Sequence, residues 1–76
     1  MQRWLAVEAE ELIRMVNQIA AFFEPYPETE AVHGIAEHIE KFWEPRMRRQ
    51  LNEIVAAGGG GLSPLALAGC RFLNTG

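Results

Sequence analysis

The residues that could do chemistry in this sequence are two histidines and one cysteine, and their spacing disfavours a metal or catalytic site. His33 and His38 are five residues apart, which on a helix turns their rings roughly 140° away from each other. Zinc requires three or four ligands, and the sequence places no base beside Cys70 to activate its thiol. We therefore interpret the histidines as separate surface or half-buried side chains and Cys70 as an ordinary, partly buried thiol. A single cysteine also cannot supply the four thiolates that an iron–sulfur cluster normally takes.

The glutamates and the glycine run give equally weak signals for chemistry. Glu37, Glu40 and Glu44 fall on the polar side of a predicted helix, where a solvated face is the favoured interpretation. A phosphate-binding Walker loop ends in Gly-Lys-Ser or Gly-Lys-Thr and follows a strand. Here Leu62 follows the last of four glycines, and no strand pattern precedes them. A helix cap and a flexible turn explain the glycine run better.

A cluster of arginines is the strongest polar feature of the chain. Arg46, Arg48 and Arg49 follow a segment in which five glutamates accompany only Lys41. Arginine pairs with carboxylates and stacks on aromatic rings, and it is enriched with tryptophan at interface hot spots. Because cations are unfavourable at the start of a helix, the cluster predicts an acidic partner. A solvated helix start is the alternative that the sequence leaves open.

Length and composition limit the class of protein. The chain has 76 residues, a formal net charge of −3 and 49% hydrophobic residues, which fits one small domain over residues 1–76 with a marginal core. This charge is not that of a general nucleic-acid binder. No apolar run approaches the roughly 20 residues that span a bilayer, and Glu8 comes too early for a signal-peptide apolar region. We expect a cytoplasmic protein that binds neither nucleic acid nor membrane and is supported by a partner or by self-association.

Apolar residues recur at helical spacing on both sides of Pro25 and Pro27. The first stripe is Leu5, Ala9, Leu12, Val16, Ile19, Ala20 and Phe23, and the second is Val32, Ile35, Ala36, Ile39, Phe42 and Trp43. Such one-sided stripes predict two amphipathic helices, which we expect to form a hairpin and the core. Thr29 is a candidate N-cap of the second helix. Gly34 permits either the close approach of another helix or no special contact, as a tolerated surface glycine.

Pro45 marks the junction between the second and third helical segments. Either the proline occupies the first position of a new helix, or one helix continues through it with a kink. The apolar stripe stays in phase across the junction, which permits the kink. We favour the break, in which Glu44 takes the extended geometry that a following proline imposes.

The end of the chain predicts one further short helix. The third helix should end at Ala57, where the first glycine can cap it. Ser63 and Pro64 then predict the N-cap and first turn of a fourth helix from Leu65 to about Cys70, followed by a frayed tail within a flexible region over 68–76. No alternating strand pattern occurs. The predicted fold class is therefore all-α, a small bundle of three main helices and a short C-terminal helix.

Two pairs of adjacent aromatic residues predict exposed apolar surface. Phe22 and Phe23 are neighbours on one helix, and Phe42 and Trp43 are neighbours at the end of the next. Adjacent helical residues point about 100° apart, so both members of a pair cannot lie at the centre of one narrow stripe. We predict that one member of each pair is core and the other is a contact for a second chain.

Four strings of the sequence are distinctive in combination. They are Arg14-Met-Val-Asn-Gln-Ile-Ala-Ala-Phe-Phe23, Glu30-Ala-Val-His-Gly-Ile-Ala-Glu-His-Ile39, Lys41-Phe-Trp-Glu-Pro-Arg-Met-Arg48 and Gly60-Gly-Leu-Ser-Pro-Leu65. Together they resemble the delta subunit of NAD-dependent formate dehydrogenases, over about residues 12–67. The first eleven residues and the tail after Ala68 fall outside the resemblance.

The resemblance implies a small accessory subunit that has no redox centre and supports the assembly or stability of a soluble complex. In that family the alpha subunit carries a molybdenum or tungsten pterin and iron–sulfur clusters. Other subunits carry FMN and further clusters and reduce NAD. The implied partner is the alpha subunit and its complex, and no catalytic, cofactor-binding or metal-binding residue is carried over to this chain.

Two segments are the predicted docking residues. We call residues 42–49 the Pro45 corner and residues 62–65 the Leu62 turn. The predicted contacts are Phe42, Trp43, Pro45, Arg46, Met47, Arg48, Arg49, Leu62, Ser63, Pro64 and Leu65. Two alternatives remain open: a self-associating regulatory module that forms a homodimer when isolated, and a maturation factor that binds the pterin cofactor transiently.

Overall fold

The computed structural model describes residues 8–75 and contains four helices. They are α1 (Ala9–Phe23), α2 (Glu28–Phe42), α3 (Pro45–Ala56) and α4 (Pro64–Thr75). No β-strand occurs between residues 8 and 75, so the all-α prediction is confirmed. Leu5, the first member of the predicted stripe of α1, lies outside the described residues.

The core is shared by all four helices and is not confined to the first hairpin. Its fully buried large side chains are Leu12 and Val16 of α1, Ile35 and Ile39 of α2, Leu51 of α3 and Cys70 of α4. The most extensive contact between helices joins α2 to α4, and α1 touches each of the other three helices. The stripes of α1 and α2 do lie largely in the core, and α3 and α4 contribute to it in addition to what was predicted. The apolar stripe of each helix shows which face is buried but not against which helix.

The turn between α1 and α2 differs from the prediction in its capping residue. α2 begins at Glu28, and Pro27 is its N-cap with non-helical backbone geometry (φ −53°, ψ 146°). Thr29 lies inside the first turn, so its assignment as the N-cap was wrong. Proline fixes its own φ and cannot donate a backbone hydrogen bond, so it suits the position before the first helical residue. With Pro27 there, α2 starts two residues before the start that a Thr29 cap would give. Glu28 and Glu30 occupy the first turn, where carboxylates interact favourably with the helix dipole.

The chain breaks at Pro45, as predicted. Trp43 and Glu44 have extended backbone geometry (ψ 143° and 152°), and Pro45 occupies the first turn of α3. The Glu44 carbonyl accepts the backbone N–H of Arg48 at 3.0 Å, which is the first hydrogen bond of the new helix. α2 and α3 are therefore two separate helices, and Trp43 at the break and Leu51 in α3 are both buried.

The glycine run forms a compact cap at the end of α3. Gly58 N–H bonds the Val55 carbonyl at 3.0 Å, and Gly59 N–H bonds the Ile54 carbonyl at 2.9 Å. This pair of bonds is a Schellman motif. The φ angles of Gly58 and Gly59 are +117° and +68°, a region that residues with a Cβ rarely enter. The predicted glycine cap after Ala57 is confirmed.

α4 begins where predicted but is longer than predicted. Ser63 Oγ accepts the Ala66 backbone N–H at 3.2 Å, which confirms Ser63 as the N-cap and Pro64 as the first helical residue. The helix continues to Thr75, so the predicted end near Cys70 and the frayed tail after it were wrong. Residues beyond Cys70 are stabilised by contacts with α2, among them a stacked pair of His33 and Phe72 with ring centroids 4.3 Å apart.

Two glycines mark close contacts of α2. A Cβ at Gly69 of α4 would lie 2.5 Å from Ile35 Cγ2, so the absence of a side chain there permits α2 and α4 to approach. A Cβ at Gly34 would lie 2.4 Å from the Phe23 ring. The close-approach interpretation of Gly34 is thus correct, although its neighbour is an aromatic side chain at the end of α1.

Candidate docking surface

An apolar groove lies between the second half of α1 and the end of α2. Its α1 wall is formed by Met15, Gln18, Ile19, Phe22 and Phe23, and its α2 wall by His38 and Trp43. The groove has a volume of about 520 Å³. A smaller hollow adjoins it and shares Phe23 and His38, with Gly34, Glu37, Lys41 and Phe42 completing its lining. Together they form one surface, which we call the aromatic groove.

The two aromatic pairs are divided between core and surface as predicted. Trp43 is 6% exposed, whereas its neighbour Phe42 is 72% exposed. Phe23 packs against the core, whereas its neighbour Phe22 is 68% exposed. The helical period alone required one member of each pair to leave the core, and the structure identifies which one does so. Both exposed rings lie on the aromatic groove.

Contacts between rings hold the exposed aromatic side chains in place. Phe22 meets Phe23 edge to face with centroids 5.1 Å apart, and Tyr26 lies 5.5 Å from Phe23. On the α2 side, His38 lies 4.9 Å from Phe42. Aromatic pairs at such distances are favourable beyond the area that they bury. The surface is therefore partly organised before any partner binds.

Trp43 and Arg48 are integral to the folded Pro45 corner. The Arg48 guanidinium donates from Nη1 to the carbonyls of Glu40 at 3.1 Å and Trp43 at 2.9 Å. It thereby satisfies carbonyl groups left open where α2 ends, at the negative end of the helix dipole. Met47 packs against the core, while Arg46 and Arg49 are exposed. The corner therefore presents Phe42, Pro45, Arg46 and Arg49 to solvent and retains Trp43 inside.

Removal of the Arg48 guanidinium should destabilise the fold. Arg48→Gln should lower the free energy of unfolding by about 1–2 kcal/mol, since a hydrogen bond to a charged group contributes about 1.5–3 kcal/mol and this group is partly solvated. Urea denaturation followed by circular dichroism would measure the loss. Arg49→Gln is the matched control because Arg49 is an exposed neighbour on the same helix, and equal losses for the two variants would contradict the role of Arg48.

The Leu62 turn is fastened to α1 by Asn17. The Asn17 amide donates from Nδ2 to the Gly61 carbonyl and accepts the Ser63 backbone N–H at Oδ1, both at 2.9 Å. Leu62 and Leu65 pack against the core. Sequence reasoning missed Asn17, because a single asparagine in a helix gives no indication of a partner 44 residues away. The turn is thus more firmly held than the glycine run suggested.

The two predicted docking segments lie at opposite ends of α3. The Pro45 corner precedes and begins this helix, and the Leu62 turn follows it. A helix of 12 residues is about 18 Å long, so one partner touching both segments must extend along α3. The aromatic groove adds Met15, Gln18, Ile19 and His38, and no pattern in the sequence groups these four residues. These four residues come together only because α1 and α2 lie side by side in the folded chain.

The two histidines and the cysteine occupy different environments. His33 stacks on Phe72 and His38 lies against Phe42, whereas Cys70 is buried among core side chains. Within residues 8–75, no group of three or more histidine, cysteine, aspartate or glutamate side chains could hold a metal ion.

Burial of Cys70 predicts a loss of stability at alkaline pH. Desolvation raises the pKa of its thiol from 9.0 to about 11, so the unfolded chain releases this proton first. The contribution of Cys70 is complete below pH 9 and should be lost as pH rises towards 11. Unfolding free energies measured at pH 8 and pH 10.5 should fall more steeply for the native sequence than for Cys70→Ala. Parallel slopes would contradict this assignment.

These features define a small all-α protein whose surface carries the aromatic groove and the exposed arginines of the Pro45 corner. None of the helices among residues 8–75 is long and apolar enough to cross a membrane. Over residues 11–69 the chain matches the family of NADH-dependent formate dehydrogenase delta subunits, FdsD. The chain belongs to this family, which confirms the resemblance recognised over residues 12–67. Comparison with curated proteins and with solved structures gave no match.

Proposed function

We propose that this chain is a non-catalytic accessory subunit that docks on the alpha subunit of a cytoplasmic, NAD-dependent formate dehydrogenase and supports its assembly or stability. The observation that carries the proposal is the family match over residues 11–69. We assign the molybdenum or tungsten pterin, the iron–sulfur clusters, FMN and NAD to the partner subunits. The role of this chain is then to bind and to hold a conformation of its partner.

Two surface features support docking by side chains. Phe42 and Pro45 are exposed beside the arginines of the Pro45 corner, a combination suited to an interface with an apolar centre and acidic rim. Arg46 and Arg49 are the exposed arginines of the corner, and arginine pairs well with carboxylates at interfaces. Of the residues predicted from sequence, Trp43, Met47, Leu62 and Leu65 support this surface from the core side.

Co-purification with the tagged catalytic complex tests the proposal. Native chain should be recovered with the complex, whereas Arg46→Glu/Arg49→Glu should reduce its recovery at least about tenfold, as loss of an interface hot spot does. Arg71→Glu is the matched control, since Arg71 is an exposed arginine of α4. Failure of the native chain to join the complex would refute the function. Recovery of the double variant at the native level would refute only the role of the two arginines.

A second candidate function is a self-associating regulatory module. The exposure of Phe22 and Phe42 favours it, because apolar surface of this kind often forms two-fold symmetric dimers. Light scattering of the isolated chain distinguishes a dimer from a monomer. Loss of the dimer in Phe22→Asp, with loss of regulation of the complex, would favour this candidate over a subunit that binds as a monomer.

A further inference from the structure

We draw no further inference here: the strongest candidate, the aromatic groove between the second half of α1 and the end of α2, carries nothing because nothing in the structure shows what covers it.

Discussion

Replacement of Trp43 by alanine should remove a large part of the stability of the isolated chain. Trp43 is 6% exposed and belongs to the core cluster with Ile39 and Leu51, and truncation of such a residue costs about 3–5 kcal/mol. A chain of 76 residues has a total stability of roughly 4–11 kcal/mol. We therefore expect the melting temperature to fall by roughly 15 °C or more, as measured by circular dichroism.

The adjacent residue provides the matched control. Phe42 precedes Trp43 in the sequence and is 72% exposed, so Phe42→Ala should change the free energy of unfolding by no more than about 0.5 kcal/mol. Similar losses for the two variants would show that Trp43 is not a core residue. The comparison also affects interface experiments, because a Trp43 variant that leaves the complex has lost its fold as well as its surface.

The second large effect is expected at Gly69. A Cβ at this position would lie 2.5 Å from Ile35 Cγ2 and 2.8 Å from Ile35 Cβ, so Gly69→Val must separate α2 from α4 or displace a fully buried isoleucine. Insertion of carbon atoms into a packed core costs about 1–3 kcal/mol. We expect a loss near 2 kcal/mol in urea denaturation, because valine recovers little of the helix propensity that glycine lacks.

Gly60→Val is the control for Gly69→Val. Gly60 is exposed, and a Cβ there would have no neighbour within 4 Å. Its φ angle also lies outside the left-handed region occupied by Gly58, Gly59 and Gly61, so a side chain meets neither a clash nor backbone strain. An equal loss at both positions would indicate a general effect of removing glycine and would contradict the close approach of α2 and α4.

Local sequence chemistry predicted the element boundaries at Pro45, Gly58 and Ser63, where one residue controls the backbone. Pro45 begins α3 because its ring fixes φ and restricts Glu44, and Ser63 caps α4 because its hydroxyl reaches the Ala66 N–H. Gly58 ends α3 because it adopts a positive φ. The error at Thr29 has a similar local cause, since Pro27 competes for the cap. The error at the end of α4 does not, because contacts with α2 extend that helix.

The candidate docking surface was predicted only in part. The period of the helix showed that one ring of each aromatic pair must leave the core, but Phe22 and Phe42 were distinguished from Phe23 and Trp43 only by packing. The sequence also grouped Arg48 with the other arginines of the corner. In the structure its guanidinium binds the carbonyls of α2, a contact that depends on how sharply the chain turns at Pro45.

The sequence by itself determined the helical fold class, the break at Pro45, the caps at Gly58 and Ser63 and the family of this protein. These features depend on residue type and on spacing within about one helical turn. Only the tertiary structure decided that α2 packs most extensively on α4, that Asn17 fastens the Leu62 turn, and that Met15 and His38 line one groove. The physical reason is that these contacts join residues far apart in the chain, and an apolar stripe specifies a buried face without specifying its neighbour.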